Sequence, residues 1–391
     1  MLYKHGILLT PVVGAVFISA STMVVVINAI ILKVKSVSKN QPMKKIRVAV
    51  NGYGVIGKRI ADAVLLQDDM ELIGVADVVT DWRIKAAAKN DLPVFAFDKD
   101  AFEKMKTAGI DAKGTLDDLL KNVDVICDAT PKKVASLNFE QYKNAGVKSI
   151  FQGGEKHVLT GHSFVAQVNY ASAIGRDSTR VVSCNTTSIV RMIGALNQSG
   201  LFKKGNGVLV RRATDPWESD HSGIMNTIVP ETTVPSHQGP DAQTIIPGLE
   251  ITTVALVAAQ TTSHFHSWHV ELASPSSKEE IVSIFEKTPR VIFLRESDGL
   301  TALNHTIELM NDLGRPRGDM WEVGLWIDSL TVKNNELYFN YQVYNQAIVV
   351  PETIDAIRAL TGIEKDATAS INKTNNSMGI IHGDIFKNSS K

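Results

Sequence analysis

The chain has 391 residues, 44% hydrophobic and 21% charged, which suits two domains that each bury their own core. Its 41 basic and 41 acidic side chains cancel, so bulk charge argues against a nucleic acid or other polyanion as partner. Two cysteines, Cys127 and Cys184, exclude a disulfide scaffold and point to a reducing, cytoplasmic setting.

Residues 6–32 run for 27 positions without a charge (GILLTPVVGAVFISASTMVVVINAIIL). That is long enough to span roughly 30 Å of hydrocarbon as an extra N-terminal hydrophobic helix. A signal peptide would have a shorter apolar run and a small-residue cleavage site. Lys33, Lys35 and Lys39 follow instead and would hold the C-terminal side in the cytoplasm. The run TPVVGAVFISASTMVVVINA resembles the last membrane helix of copper-type P-type ATPases. Ile18 and Thr22 stand where that family places a metal-holding Met and Ser, so metal binding does not carry over. Residues 1–42 are thus either a membrane tether or a fused, misjoined upstream frame, with Met43 as the start of the functional protein.

From Lys45 the text KIRVAVNGYGVIGKRIADAVLL places a β-branched strand before Gly52-Tyr53-Gly54-Val55-Ile56-Gly57 and a helical pattern. In a G-x-G-x-x-G turn the first glycine allows the tight turn and the second lets backbone approach a pyrophosphate. The third permits close helix–strand packing, and the helix N-terminus offers free N–H groups to the phosphates. The next strand, ELIGVAD, ends at Asp77, where a carboxylate would accept the adenosine ribose hydroxyls. Arg83 and Lys85 lie just beyond and could instead meet a 2′-phosphate, so NAD and NADP both stay open. Strands and helical stretches keep alternating through VFAF, FEKMKTAG, TLDDLLKN, VDVICDATP and KSIFQGGEKH, which argues for a doubly wound parallel sheet. Cys127, inside VDVICDA, reads as a buried core thiol. Thr130, Pro131 and Gly154 end strands at the edge where the cofactor should lie.

TRVVSCNTTSIVRMIGAL carries the chemistry. Cys184 ends a strand and opens a helix whose apolar positions Ile189, Met192, Ile193 and Leu196 recur at helical spacing. A cysteine there feels the positive end of the helix dipole, which favours the nucleophilic thiolate and predicts a lowered pKa. Eighty residues on, TTSHFHSWHV supplies His264, His266 and His269 as candidate bases, the first two on one face of a strand. No Cys or carboxylate spacing accompanies them to suggest zinc, and no metal is expected. Arg211 and Arg212 in VLVRRATDP offer rigid donor forks for phosphate, and PSHQGPD adds His237 and Gln238 in a Pro/Gly-rich loop. SLTVKNNELYFNYQVY predicts a largely antiparallel sheet in this half; PETIDAIRALTG reads as a helix and GDIFKNSSK as a loose tail.

Taken together, NGYGVIGKR, QGGEKH, VVSCNTT, VRRATDP, PSHQGPD, TTSHFH, TPRVIFL, DGLTALNHTIELMNDLGRPR and SINKTN resemble the archaeal-type (type II) glyceraldehyde-3-phosphate dehydrogenases, from about Met43 to Ile380. The resemblance implies Cys184 as nucleophile, His264 rather than His266 as the catalytic histidine, and Ser183, Asn185, His237 and Gln238 at the substrate. It implies Val55, Ile56, Gly154, Arg212 and Gln346 at the nicotinamide cofactor. Gln238 departs from a second histidine of the family loop, Ser263 from an apolar neighbour of the catalytic histidine, and Ser188 from the helix after the nucleophile. The implied reaction is oxidation of glyceraldehyde 3-phosphate with inorganic phosphate to 1,3-bisphosphoglycerate, through a thiohemiacetal and a thioester, in glycolysis or gluconeogenesis by a cytoplasmic homotetramer. The rival expectation is a related Cys-dependent semialdehyde or acyl-phosphate dehydrogenase. The expected fold is α/β, with a Rossmann-type NAD(P) domain over 43–182 and an α+β catalytic domain over 183–348. A helical part over 349–380 would return to the cofactor domain, and 381–391 would be the tail.

Overall fold

The computed structural model describes residues 45–152 and 154–387. The expectations for residues 1–42, the tether and the ATPase-like helix included, lie outside them. Among the described residues no helix is long and apolar enough to cross a membrane.

Seven strands make the first sheet: β1 (Ile46–Asn51), β2 (Met70–Asp77), β3 (Val94–Ala96), β4 (Val125–Asp128), β5 (Lys148–Phe151), β6 (Ser163–Phe164) and β7 (Ser178–Val181). Their order is β3-β2-β1-β4-β5-β7-β6 and every pairing is parallel. Strands buried on both faces read as continuous apolar runs, and β4 (VICD) is buried throughout, Cys127 with it. Chain order reverses at β1, which lies between β2 and β4. A crevice therefore opens beyond the carboxyl ends of these strands, where open α/β sheets bind their ligands.

The second sheet contains β8 (Phe202–Arg212), β9 (Ile228–Pro230), β10 (Ile251–Ala258), β11 (His264–Leu272), β12 (Val291–Leu294), β13 (Val323–Lys333), β14 (Glu336–Val343) and β15 (Gly383–Asp384), in the order β15-β12-β13-β14-β11-β8-β10-β9. It is mixed rather than largely antiparallel: β8–β10, β12–β13 and β12–β15 are parallel pairs. A parallel neighbour needs a crossover, and the long connection from Arg212 to Ile251 supplies one for β8–β10. Gly383 and Asp384 pair with Ile292 and Phe293, and Asp384 takes Arg295 at 3.0 Å, so this part of the expected loose tail is a sheet edge.

Four helices set the site: α1 (Val55–Leu65), α2 (Cys184–Gln198), α3 (Val349–Thr361) and α4 (Ala367–Met378). Helix α3 is buried from Val349 to Leu360 and packs on α1 and on β5 and β7 of the first sheet. A helix buried all round must satisfy its own polar groups. Glu352 accepts from Arg191 of α2 (2.7 Å), Arg290 (2.8 Å) and the Ala166 N–H (2.7 Å). Asp355 takes Arg290 at 2.6 Å, and Arg358 reaches Asp69 at 2.8 Å.

Candidate active site

Strand β7 hands the chain through Val182 and Ser183 into α2, with Cys184 as its first residue. Ser183 caps the helix, its Oγ accepting the Thr186 N–H at 3.3 Å. Asp241 then ties the junction: it accepts Thr186 Oγ1–H at 2.8 Å and Arg180 Nη2–H, from the end of β7, at 2.6 Å. Neither Arg180 nor Asp241 stood out in the sequence, although Asp241 belongs to the PSHQGPD run; the available signal was an arginine inside the strand-like STRVV, four residues before the nucleophile.

The sequence predicts a lowered pKa for Cys184, and the structure gives the opposite sign. Burial pushes its thiol up to about 11, against the pull of Arg212, of the Asn185 and Cys184 backbone N–H groups and of Arg211. A helix terminus contributes about 0.3–1 kcal/mol, less than one pKa unit, whereas burial can move a group by several. In the ligand-free protein Cys184 is therefore a thiol awaiting a proton acceptor.

Strand β11 buries His264 and His266 on one face, as alternation requires. His264 Nδ1 accepts the backbone N–H of Arg212 at 3.0 Å, which puts the proton of the neutral ring on Nε2. Burial, followed by the charges of Arg212, His266 and Arg211, holds His264 well below the usual histidine range, so the ring is neutral. His266 donates from Nε2 to Asn185 Oδ1 at 2.8 Å and lies 4.7 Å from the Tyr341 ring; burial takes its pKa down to about 3. It is spent on orienting Asn185, whose own carboxamide hydrogens engage no described residue. His269 turns to Glu336 and stacks on Tyr338, away from the pair. The three histidines do not converge, and no group of three or more metal-ligating side chains forms among the described residues.

The adjacent arginines take separate duties. Arg211, partly exposed, pairs with Glu231 at 3.1 Å, and Glu231 also meets His237 at 3.3 Å. Arg212 is buried and reaches Gln346 Oε1 and Asp215. Gln238, beside His237, is 1% exposed, and neither atom of its amide has a hydrogen-bond partner. Such a group costs free energy until something polar meets it.

Beyond β1 and β2 a cavity of about 630 Å³ is lined by Gly52, Gly54, Val55, Ile56, Asp77, Thr130, Pro131 and Gln346. Asn345, Asp215, Trp217 and Glu218, which the sequence reading did not single out, complete its walls. Gly52 has φ +88°, and a Cβ there would meet the Ala129 carbonyl carbon at 2.8 Å; a Cβ on Gly57 would meet Gly52 O at 1.8 Å. Gly57 is thus a packing residue, whereas a Cβ on Gly54 would stand in open space. Helix α1 has no side-chain cap and no acid in its first turn, which leaves its N-terminus to a ligand. An open backbone cradle, a bare helix end and a strand-end carboxylate fit a dinucleotide. Gly154, exposed beside Lys132, and Arg212 do not line the cavity; Arg212 reaches it through Gln346 and Asp215.

Residues 183–312 match the family of the glyceraldehyde 3-phosphate dehydrogenase C-terminal domain. A glyceraldehyde-3-phosphate dehydrogenase of Methanococcoides burtonii is 44% identical over 339 residues, covering 86% of this chain and 100% of its own length. The protein of that name from Thermococcus kodakarensis is 45% identical over 337 residues, covering 86% of this chain and 99% of its own. The one from Methanothermus fervidus is 41% identical over 335 residues, covering 85% of this chain and 99% of its own.

Proposed function

The chain belongs to the glyceraldehyde-3-phosphate dehydrogenase family, and on that footing we propose that it oxidises D-glyceraldehyde 3-phosphate with inorganic phosphate to 1,3-bisphosphoglycerate, with Cys184 as nucleophile. The observation that carries the reading is the position of Arg212. Its backbone N–H holds His264, its guanidinium holds Gln346 on the wall of the dinucleotide cavity, and its charge acts on Cys184. One residue thereby joins nucleophile, histidine and cofactor site.

Cys184 gives its thiol proton to solvent, its Sγ adds to the aldehyde carbon, and the carbonyl oxygen, after a transient negative charge, takes up a proton to become the thiohemiacetal hydroxyl. His264, in the tautomer that its contact with the Arg212 N–H selects, offers Nε2–H as a donor to that oxygen, and the Asn185 carboxamide, oriented by His266, offers a second. Release of the Arg212 amide would move the ring proton to Nδ1 and free Nε2 to take the hydroxyl proton of the thiohemiacetal. Bound NAD or NADP supplies the hydride acceptor, held at the Gly52–Gly57 turn, Asp77 and Gln346. The resulting thioester on Cys184 is then cleaved by phosphate. Arg211, His237 and Gln238 serve the phosphate-bearing ligands, since Arg211 is a charged fork at the site and Gln238 is a buried amide that lacks a partner.

Formation of NADH or NADPH from glyceraldehyde 3-phosphate, followed at 340 nm with and without phosphate, tests the proposal. Phosphate-dependent reduction is expected; reduction that ignores phosphate would refute it. By the same likeness the working form is a homotetramer of the cytoplasm, and a fully active monomer in light scattering would count against that.

A further inference from the structure

The adenosine end of the cavity carries information on which dinucleotide it takes. Asp77 is pinned there: Oδ2 accepts the Tyr53 N–H at 2.7 Å, and Oδ1 accepts the N–H groups of Val78 at 2.7 Å and Val79 at 3.2 Å. Three backbone bonds keep the carboxylate from swinging aside, while a carboxylate has about four acceptor positions in all. The remaining one suits a ribose hydroxyl.

Arg83 is the one cation among the described residues that line the cavity. Its charge is already matched by a carboxylate. Asp81 takes its Nε at 3.0 Å and its Nη2 at 2.5 Å, and its guanidinium lies 5.2 Å from the Trp217 ring. The charges of Asp77 and Glu218 bear on it as well. Lys85 is exposed and does not line the cavity, and Lys58 sits over Trp82 at 4.8 Å. Around this end, then, three carboxylates surround one committed guanidinium.

We propose that this chain selects NAD over NADP, with Asp77 as the discriminating residue and Asp81 withholding Arg83 from a 2′-phosphate. A 2′-phosphate would bring a further charge of about −2 against a carboxylate that cannot turn away. A 2′-hydroxyl instead finds an acceptor. The inference rests on reading the cavity as a nicotinamide dinucleotide site.

Equilibrium titration of the full-length protein with NADH and with NADPH, followed by quenching of tryptophan fluorescence, tests it without turnover. NADPH should bind roughly tenfold or more weakly than NADH, with the gap narrowing as salt is raised. Asp77→Asn should close or invert that gap. Asp81→Ser keeps a cap acceptor for the helix Trp82–Lys89 and frees Arg83; it should tighten NADPH several-fold with little change for NADH. Equal or tighter binding of NADPH by the unmodified protein would overturn the proposal, as would an unchanged ratio in either folded variant. Failure to bind either nucleotide would instead overturn the dinucleotide reading of the cavity, and this inference with it.

Discussion

Replacing Glu352 by Gln removes one charge from the cluster inside α3 without removing volume. Its carboxylate is 0% exposed and serves three donors: Arg191, Arg290 and the Ala166 N–H. The cluster balances Arg191, Arg290, Arg358 and Lys373 against Glu352, Asp355, Asp69 and Asp68, four charges of each sign. The variant leaves one positive charge in excess at a dry site and turns an amide NH₂ toward a donor. Breaking a buried pair in this way costs about 3–5 kcal/mol. Urea unfolding at pH 7 should show a loss in that range. Burial pushes the Glu352 carboxyl up, but Arg290, Arg191 and the Ala166 N–H together hold it below its ordinary value of 4.5. Its contribution is therefore complete above pH 4.5 and fades as pH falls through the lowered folded value, so the deficit of the variant should shrink on acidification. A loss under about 1 kcal/mol at pH 7 would show that the cluster does not hold α2 and α3 together by charge.

Five further outcomes are expected. Cys184→Ser should abolish phosphate-dependent turnover, and His264→Asn should lower kcat by about 10²–10⁴-fold while leaving dinucleotide binding intact; parallel loss of both would deny His264 a chemical role. Because burial raises the Cys184 thiol to about 11, alkylation of the ligand-free protein by iodoacetamide should keep rising with pH beyond 9, whereas a plateau below pH 8 would show that the arginines and helix dipole outweigh burial. Cys127, buried in β4 with its pKa driven up by burial and by Asp128, should stay unlabelled throughout. Asp241→Asn should slow turnover more than it lowers nucleotide affinity, since Asp241 joins Arg180 to Thr186 and touches no cavity residue; an unchanged kcat would remove it from the positioning of Cys184.

Features governed by local rules were readable in the text. The glycine turn, the β–α alternation to its carboxyl side and the strand-to-helix step at Cys184 depend on neighbours a few residues apart. The facing of His264 and His266 follows from strand alternation alone. What escaped depends on distant partners. Nothing near Gly383 announces that Ile292 will pair with it, and nothing in VLVRR shows that β10 will return parallel beside β8. The sign at Cys184 was missed because a one-dimensional reading sees the dipole and two arginines but not the protein packed around a partly exposed thiol. PETIDAIRALTG read as a helix, but nothing in it shows that Glu352 will meet Arg290 and Arg191, 62 and 161 residues away.

Strand β11 gains its place only between β8 and β14, with His264 opposite Val343 and His266 opposite Leu209 and Tyr341. Asn345 and Gln346 follow β14 after Tyr344 and line the cavity beyond β1 and β2. During refolding, then, the glycine turn and β2 can form from local chain, but a finished cavity and a seated His264 await the same long-range zipping. Recovery of nucleotide affinity and of catalytic competence should share one slow step, and a one-residue slip of β11 would cost the molecule its histidines while leaving its hydrogen-bonded ladder intact.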